Sequence, residues 1–274
     1  MSGLSVLLRW CLAILLWSAT AAQAADETGA DQESGNHELA QKLNNPVSSL
    51  ISVPFQFNYD CCYGARGGSQ TVMNLQPVIP VRLDDDLDVI VRTITPFIAQ
   101  GERSAGAGSR FGLGDITQSF FFTPKAAPGD WIWGAGPVFL WPTASDPDLG
   151  SRKWGAGPTA VLLKQDSGWT YGVLANHIWS YSGERERTNV NNTFFQPFLS
   201  HTWPDTTNLG INTESTYDWQ GQRLTLPINL TLGHLFKLDS QPINLTSGIR
   251  YTATARQGEA QWGARLVLTL LFPG

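Results

Sequence analysis

Four histidines, His37, His177, His201 and His234, are the side chains of this sequence best suited to exchange a proton near neutral pH. A hydrolase built on one of them needs a nucleophile within hydrogen-bonding reach and a polar group to orient the ring. In the strand reading given below, His177 and His201 share a face but stand at opposite ends of adjacent strands, so they form no common site. Neither a serine nor an orienting group can be assigned beside one of the four, and no enzyme is expected. Cys61 and Cys62 are adjacent. Such thiols close only a strained eight-membered ring, so a vicinal disulfide is open to them in an oxidising compartment but not required. With no His or acid at ligand spacing beside them, no metal is expected, and nothing asks for a cofactor. Asp84-Asp-Asp86 and Asp146-Pro-Asp148 could attract cations, yet acidic turns are ordinarily only solvated. Gly112-Leu-Gly-Asp115 lacks the following helix that would make it a phosphate cradle.

The remaining polar candidates are spread along the chain on alternating positions, and that alternation defines the elements that must position them. In Arg223-Leu-Thr-Leu-Pro-Ile-Asn-Leu-Thr-Leu232 one face is Leu224, Leu226, Ile228, Leu230 and Leu232, and the other is Arg223, Thr225, Asn229 and Thr231. The same period of two recurs from Ser48 to the end, with turn residues between segments. It predicts twelve strands over 48–59, 71–83, 87–99, 113–124, 130–142, 153–164, 168–181, 192–203, 207–219, 222–237, 241–253 and 260–272. Short turns (84–86, 125–129, 165–167, 204–206, 238–240) alternate with mostly longer connections rich in Gly or charge. That is the layout of a transmembrane antiparallel up-and-down β-barrel of about twelve strands.

Composition agrees. Of 274 residues only 15% are charged, against about 25% in an ordinary soluble domain, while 27 are Gly and 11 Trp. The net charge of −5 disfavours a nucleic-acid partner. After residue 24 no run approaches the roughly 20 apolar residues of a membrane helix. Before it, Arg9, the apolar stretch Trp10–Trp17 and Ala22-Gln-Ala24 have the form of a cleaved secretory signal, so 1–24 is expected to be removed. A polar segment, 25–47, should precede the barrel of 48–274; its first part is expected to be disordered, with one or two helical turns over 38–44.

The nine tryptophans beyond the signal fall on the apolar parity near strand ends: Trp141, Trp154, Trp179, Trp219 and Trp262 on the long-loop side, Trp131, Trp133, Trp169 and Trp203 on the short-turn side. Trp131 and Trp141 would be about 33 Å apart along one strand. A tilt of ~40° reduces this to ~25 Å, the height of a lipid-facing band with two aromatic girdles. The opposite parity then faces a lumen. Its candidate lining residues are Arg82, Arg92, Asp115, Asn212, Glu214, Asp218, Arg223, Arg250 and Arg265, with Gln56, Asn58, Asn74, Gln76, Asn229 and Asn244 among them. Mixed charges permit either a lumen filled by ion pairs or a narrow wet pore. Pro54, Pro80 and Pro227 take inward parity and should mark breaks in the wall.

Several segments carry a family resemblance: Gly112-Leu-Gly-Asp-Ile-Thr-Gln-Ser-Phe-Phe-Phe-Thr-Pro-Lys125, Trp154-Gly-Ala-Gly-Pro158, Ala175-Asn-His-Ile-Trp-Ser-Tyr181 and Asn212-Thr-Glu-Ser-Thr-Tyr-Asp-Trp219. They resemble bacterial outer-membrane putative transporters, some mislabelled "neuromedin U", related to the outer-membrane proteins of the phenol-degradation meta-pathway. The resemblance spans about residues 38–274. It implies an outer-membrane barrel taking up hydrophobic or aromatic compounds; the family offers no agreed site residues to carry over. The expectation is thus a passive channel for small solutes, hydrophobic or aromatic ones included. The alternative is a structural or surface-binding barrel acting through its outer loops. Partners would be outer-membrane lipid, a small solute and the outer-membrane assembly machinery, with the oligomeric state open.

Overall fold

The computed structural model describes residues 29–64, 67–102, 108–126 and 128–272. The expected signal peptide lies outside the described residues. A helix, α1 (Gly29–Leu43), leads into twelve strands. They are β1 (Ile51–Tyr63), β2 (Gly68–Leu75 with Val78–Arg82), β3 (Leu87–Gln100) and β4 (Arg110–Leu113 with Ile116–Pro124). Next come β5 (Trp131–Trp141), β6 (Lys153–Asp166), β7 (Trp169–Gly183) and β8 (Asn191–Thr202). The last are β9 (Thr207–Thr213 with Ser215–Asp218), β10 (Arg223–Thr225 with Pro227–Leu238), β11 (Gln241–Thr252) and β12 (Trp262–Phe272). Each is antiparallel to the next, and β12 returns to β1 from Ile51↔Phe272 to Asp60↔Gly263, closing the barrel. All twelve expected strands are present. Among the described residues no helix is long and apolar enough to cross a membrane.

Local chemistry explains the turns and the breaks. Ser167 and Gly168 both have positive φ (49° and 85°), the two-residue hairpin geometry that matches strand twist, so β6 and β7 are joined tightly. Four strands are interrupted. Pro77 lies in the break in β2, and Pro227 follows the one in β10 directly across from Glu214, where β9 breaks; a proline has no N–H for the ladder. Pro54 and Pro80 do not break their strands as expected: they keep their places opposite Thr269 and Ile90. The fourth interruption, Gly114-Asp115 in β4, is made by a loop contact described below.

Outward faces carry Phe57, Leu209, Ile211, Leu230, Ile249, Leu266 and Leu268, all exposed. Eight of the nine tryptophans are exposed there too, up to 54% for Trp219. Trp141 is half-buried, edge-on to Trp154 at 5.5 Å between centroids. At the short-turn end the His201 ring lies between Trp169 (4.6 Å) and Trp203 (4.8 Å). The core lies inside the barrel. Val47, Val78, Ile90, Phe121, Val161, Leu163 and Leu174 form one buried cluster. Ala40, Leu50, Leu235 and Leu271 form another, with Leu39 and Leu43 against it.

Helix α1 corrects the expectation of a disordered start and one or two turns. Its sequence is polar and short of intrinsic helix drive, but its last turns bury Ala40 and set Leu39 and Leu43 against Leu235 and Leu271 at the barrel's short-turn end. Tertiary packing of that kind stabilises a helix which composition alone would not.

Candidate functional site: the lumen

The chain that follows α1 enters the lumen at its short-turn end. Residues 44–50 run into the barrel, and Val47 lies among inward-facing apolar side chains. Gly134 on β5 makes the seat: a Cβ there would stand 3.1 Å from Phe121 and 3.4 Å from Val47. Three polar contacts hold α1 and its end to the rim. Gln165 Nε2 donates to the Gln41 carbonyl (2.7 Å), Asn44 Nδ2 to Thr202 Oγ1 (3.1 Å), and His37 Nδ1 lies 3.0 Å from the Trp203 carbonyl.

At the long-loop end the β5–β6 connection folds against β4. Gly112 and Gly114 leave room there for Ser145 and Leu149, and Leu149 is buried. Asp115 fixes this loop: its carboxylate accepts from Ser151 N and Oγ (2.6 Å each) and Ala144 N (3.2 Å). Arg110 pairs with Asp148 (2.5 Å), while Arg187 donates to the carbonyls of Pro147 (2.6 Å) and Gly150 (2.7 Å).

Between these segments stands a polar network. Arg265 grips Glu214 with two parallel hydrogen bonds, Nη1–Oε1 2.9 Å and Nη2–Oε2 2.6 Å, and donates from Nε to Asn58 Oδ1 at 2.8 Å. Arg250 reaches Asn58 (3.0 Å), Asp60 (3.3 Å) and Glu214 (3.5 Å). Arg92 donates to Gln76 Oε1 (3.0 Å), and Asn229 Nδ2 to Asn212 Oδ1 (2.8 Å). Pairing of this quality is what lets charges persist away from water. A cavity of about 280 Å³ remains between the network and residues 44–48, bordered by β1–β3 and β8–β12.

Of the expected lining residues, the structure brings Glu214, Arg250 and Arg265 into one network, with Arg92 and Asn212 beside the cavity. The other four stand elsewhere. Arg82 is exposed at the short-turn rim, and Asp115 holds a loop. Asp218 caps the β9–β10 turn through Gln220 N, and Arg223 pairs with Glu259 in the β11–β12 loop. These four take the right parity, but at strand ends and breaks their side chains serve a rim, a loop or a turn. Asp60 and the whole apolar cluster were missed. The signal for the cluster lay in uninterrupted apolar triplets, Val89-Ile-Val91, Phe120-Phe-Phe122 and Val161-Leu-Leu163, which place apolar groups on both faces. Cys61 and Cys62 are free thiols with sulfurs 2.7 Å apart.

A closed antiparallel barrel with an apolar exterior and a polar network in its lumen has the fold of an outer-membrane barrel. No family model and no curated protein matches the chain. Solved structures do. An outer membrane channel from Pseudomonas putida F1 is 15% identical over 82% of this chain and 96% of its own, with a TM-score of 0.64. Outer membrane phospholipase A from Escherichia coli is 10% identical over 81% and 92%, with a TM-score of 0.47. The Salmonella typhi outer membrane phospholipase dimer with bound calcium is 10% identical over 87% and 98%, also at 0.47. At these identities the likeness is one of fold. The expectation that the chain is no enzyme is corrected accordingly: outer membrane phospholipases are among the structures matched, and a fold does not by itself decide activity.

Proposed function

We propose that the protein is an outer-membrane channel for passive passage of small solutes, shut at both ends in the conformation described. The observation that carries this reading is the cavity kept open inside the barrel between the polar network and residues 44–48. One closure is the segment ahead of β1 and the other a loop, and both can move without breaking the barrel. The fold likeness to an outer membrane channel supports it. In this reading the signal 1–24 exports the chain, 25–47 lies on the periplasmic side, and the tryptophans at both ends seat the barrel in outer-membrane lipid. Assembly would use the outer-membrane machinery. The cavity lining is mixed, with Val78, Phe198 and Val267 beside Arg92 and several amides, so it suits small solutes that carry both polar and apolar parts.

The test is single-channel conductance and liposome swelling with the purified, folded chain. Wild type should conduct, and Val47→Asp, which puts a charge into the apolar seat, should raise the open fraction. Silence from both proteins overturns the channel and favours the second reading, a structural or surface-binding barrel, for which the double closure itself speaks.

A further inference from the structure

The lining of the lumen cavity is chemically one-sided. Among the described residues bordering it there is no Asp or Glu, whereas Arg92 and Arg265 both reach it. The two guanidinia are not equivalent. Arg265 is spent on Glu214 and Asn58, and Arg250 behind it on Asp60, Asn58 and Glu214. Three guanidinia therefore share two carboxylates, and Arg92, which feels the Glu214 charge only through space, is the one with no described hydrogen bond to either carboxylate. Its described hydrogen bond is to the neutral amide of Gln76. A guanidinium has five N–H donors in a fork that matches a carboxylate.

The rest of the wall mixes neutral hydrogen-bonding groups, Gln56, Asn208 and Asn244 among them, with apolar ones such as Val78, Phe198 and Val267. The Ser200 hydroxyl is buried at this cavity without a partner, the kind of orphan a ligand satisfies. The volume is just under the range of pockets that take drug-sized molecules, so the occupant is of small-metabolite size.

We infer that this cavity is a binding site for a small hydroxylated carboxylate, with the carboxylate on Arg92 and the hydroxyls on the amides and Ser200. It rests on the channel reading in that it names the class of solute the lumen would select.

Calorimetry on the purified, folded full chain, with gluconate against uncharged sorbitol, tests it. Gluconate should bind about tenfold more tightly than sorbitol, the size of one charge-assisted interaction. Arg92→Gln should abolish that preference and Arg92→Lys keep part of it. Equal binding of the two ligands by wild type, no gluconate binding, or an unchanged preference in a folded Arg92→Gln overturns the inference. The wild-type comparison needs no variant to fold. Conductance measured on the same preparation separates the two proposals: conductance without gluconate binding leaves the channel and removes the site, and binding without conductance does the reverse.

Discussion

Across the lumen, β3, β4, β6 and β7 turn Ile90, Phe121, Val161, Leu163 and Leu174 inward, while β9 to β12 and β1 turn in Asn212, Glu214, Asn229, Arg250, Arg265 and Asn58. In the polar sector Arg250 and Arg265 are held by Asn58, Asp60 and Glu214 from the wall itself. The apolar sector cannot be satisfied in this way. Facing an aqueous lumen it would expose a contiguous apolar patch, and the chain covers it with its own residue Val47. The difference teaches why Val47 lies where it does: it answers to the apolar side of the barrel. On β10 and β12 the apolar demand is confined to Leu235 and Leu271 at the short-turn end, where α1 and Leu50 meet it, and the cavity survives between that contact and the polar network.

The sharpest way to break this contrast is Glu214→Ala. Arg265, only 5% exposed, would lose both bonds to its carboxylate, and Arg250 one of its partners. Removing one member of a buried pair costs about 3–5 kcal/mol. Because Glu214 itself keeps some solvent contact, about 3 kcal/mol is expected, read from equilibrium unfolding of the folded barrel in lipid. Loss of under about 0.5 kcal/mol, the scatter of an ordinary surface change, would mean that Arg250 and Arg265 are solvated rather than held by the wall.

This contrast also separates what the sequence disclosed from what it hid. Strict alternation, as in the stretch from Arg223 to Leu232, reports a strand with unlike faces, so the polar sector and its residues Asn212, Glu214, Arg250 and Arg265 could be read directly. Strands apolar on both faces give no alternation, and Phe120-Phe-Phe122 reads as membrane wall whichever ring points inward. Val47 could not be found at all by periodicity, since it lies in an irregular segment whose partner faces were hidden. Arg82, Asp115, Asp218 and Arg223 show a different limit. Parity assigns a face but not a depth, and near strand ends a side chain of inward parity can serve a rim or a loop.

On the apolar side the matching change is Val47→Ala. It deletes two methyl-sized groups from a seat shaped by Gly134 and Phe121, and at about 0.8 kcal/mol for each the closure should weaken by about 1.5 kcal/mol. The readout is local: faster amide exchange over 44–50 with the barrel strands unchanged. Since the lost term is apolar, the effect should persist at high salt, whereas surface charge effects fade. Uniform loosening of all twelve strands would show that Val47 supports the wall and not a separable closure.

The smallest expected effect lies at the long-loop rim of the polar sector. Glu259 Oε2 accepts from the Arg256 backbone N–H at 3.0 Å, and Oε1 from Arg223 Nη2 at 2.5 Å. The Arg256 N–H first, and Arg223 after it, hold the Glu259 carboxyl below its usual range. A carboxyl lowered in the folded state contributes stability that is complete above its unfolded value, about 4.3. That stability is lost as the pH falls through the lower, folded value. The pair lies at the surface, so its worth is within about 1 kcal/mol. At neutral pH, Glu259→Gln should therefore speed amide exchange over 254–261 slightly relative to wild type, and the two should converge in acid below both values. Convergence is the diagnostic part, because the Val47→Ala difference, with no titrating group behind it, should not close over the same pH range. If both differences closed together, the lumen's inner closure would be coupled to the outer rim, and the two sectors would be a single cooperative unit.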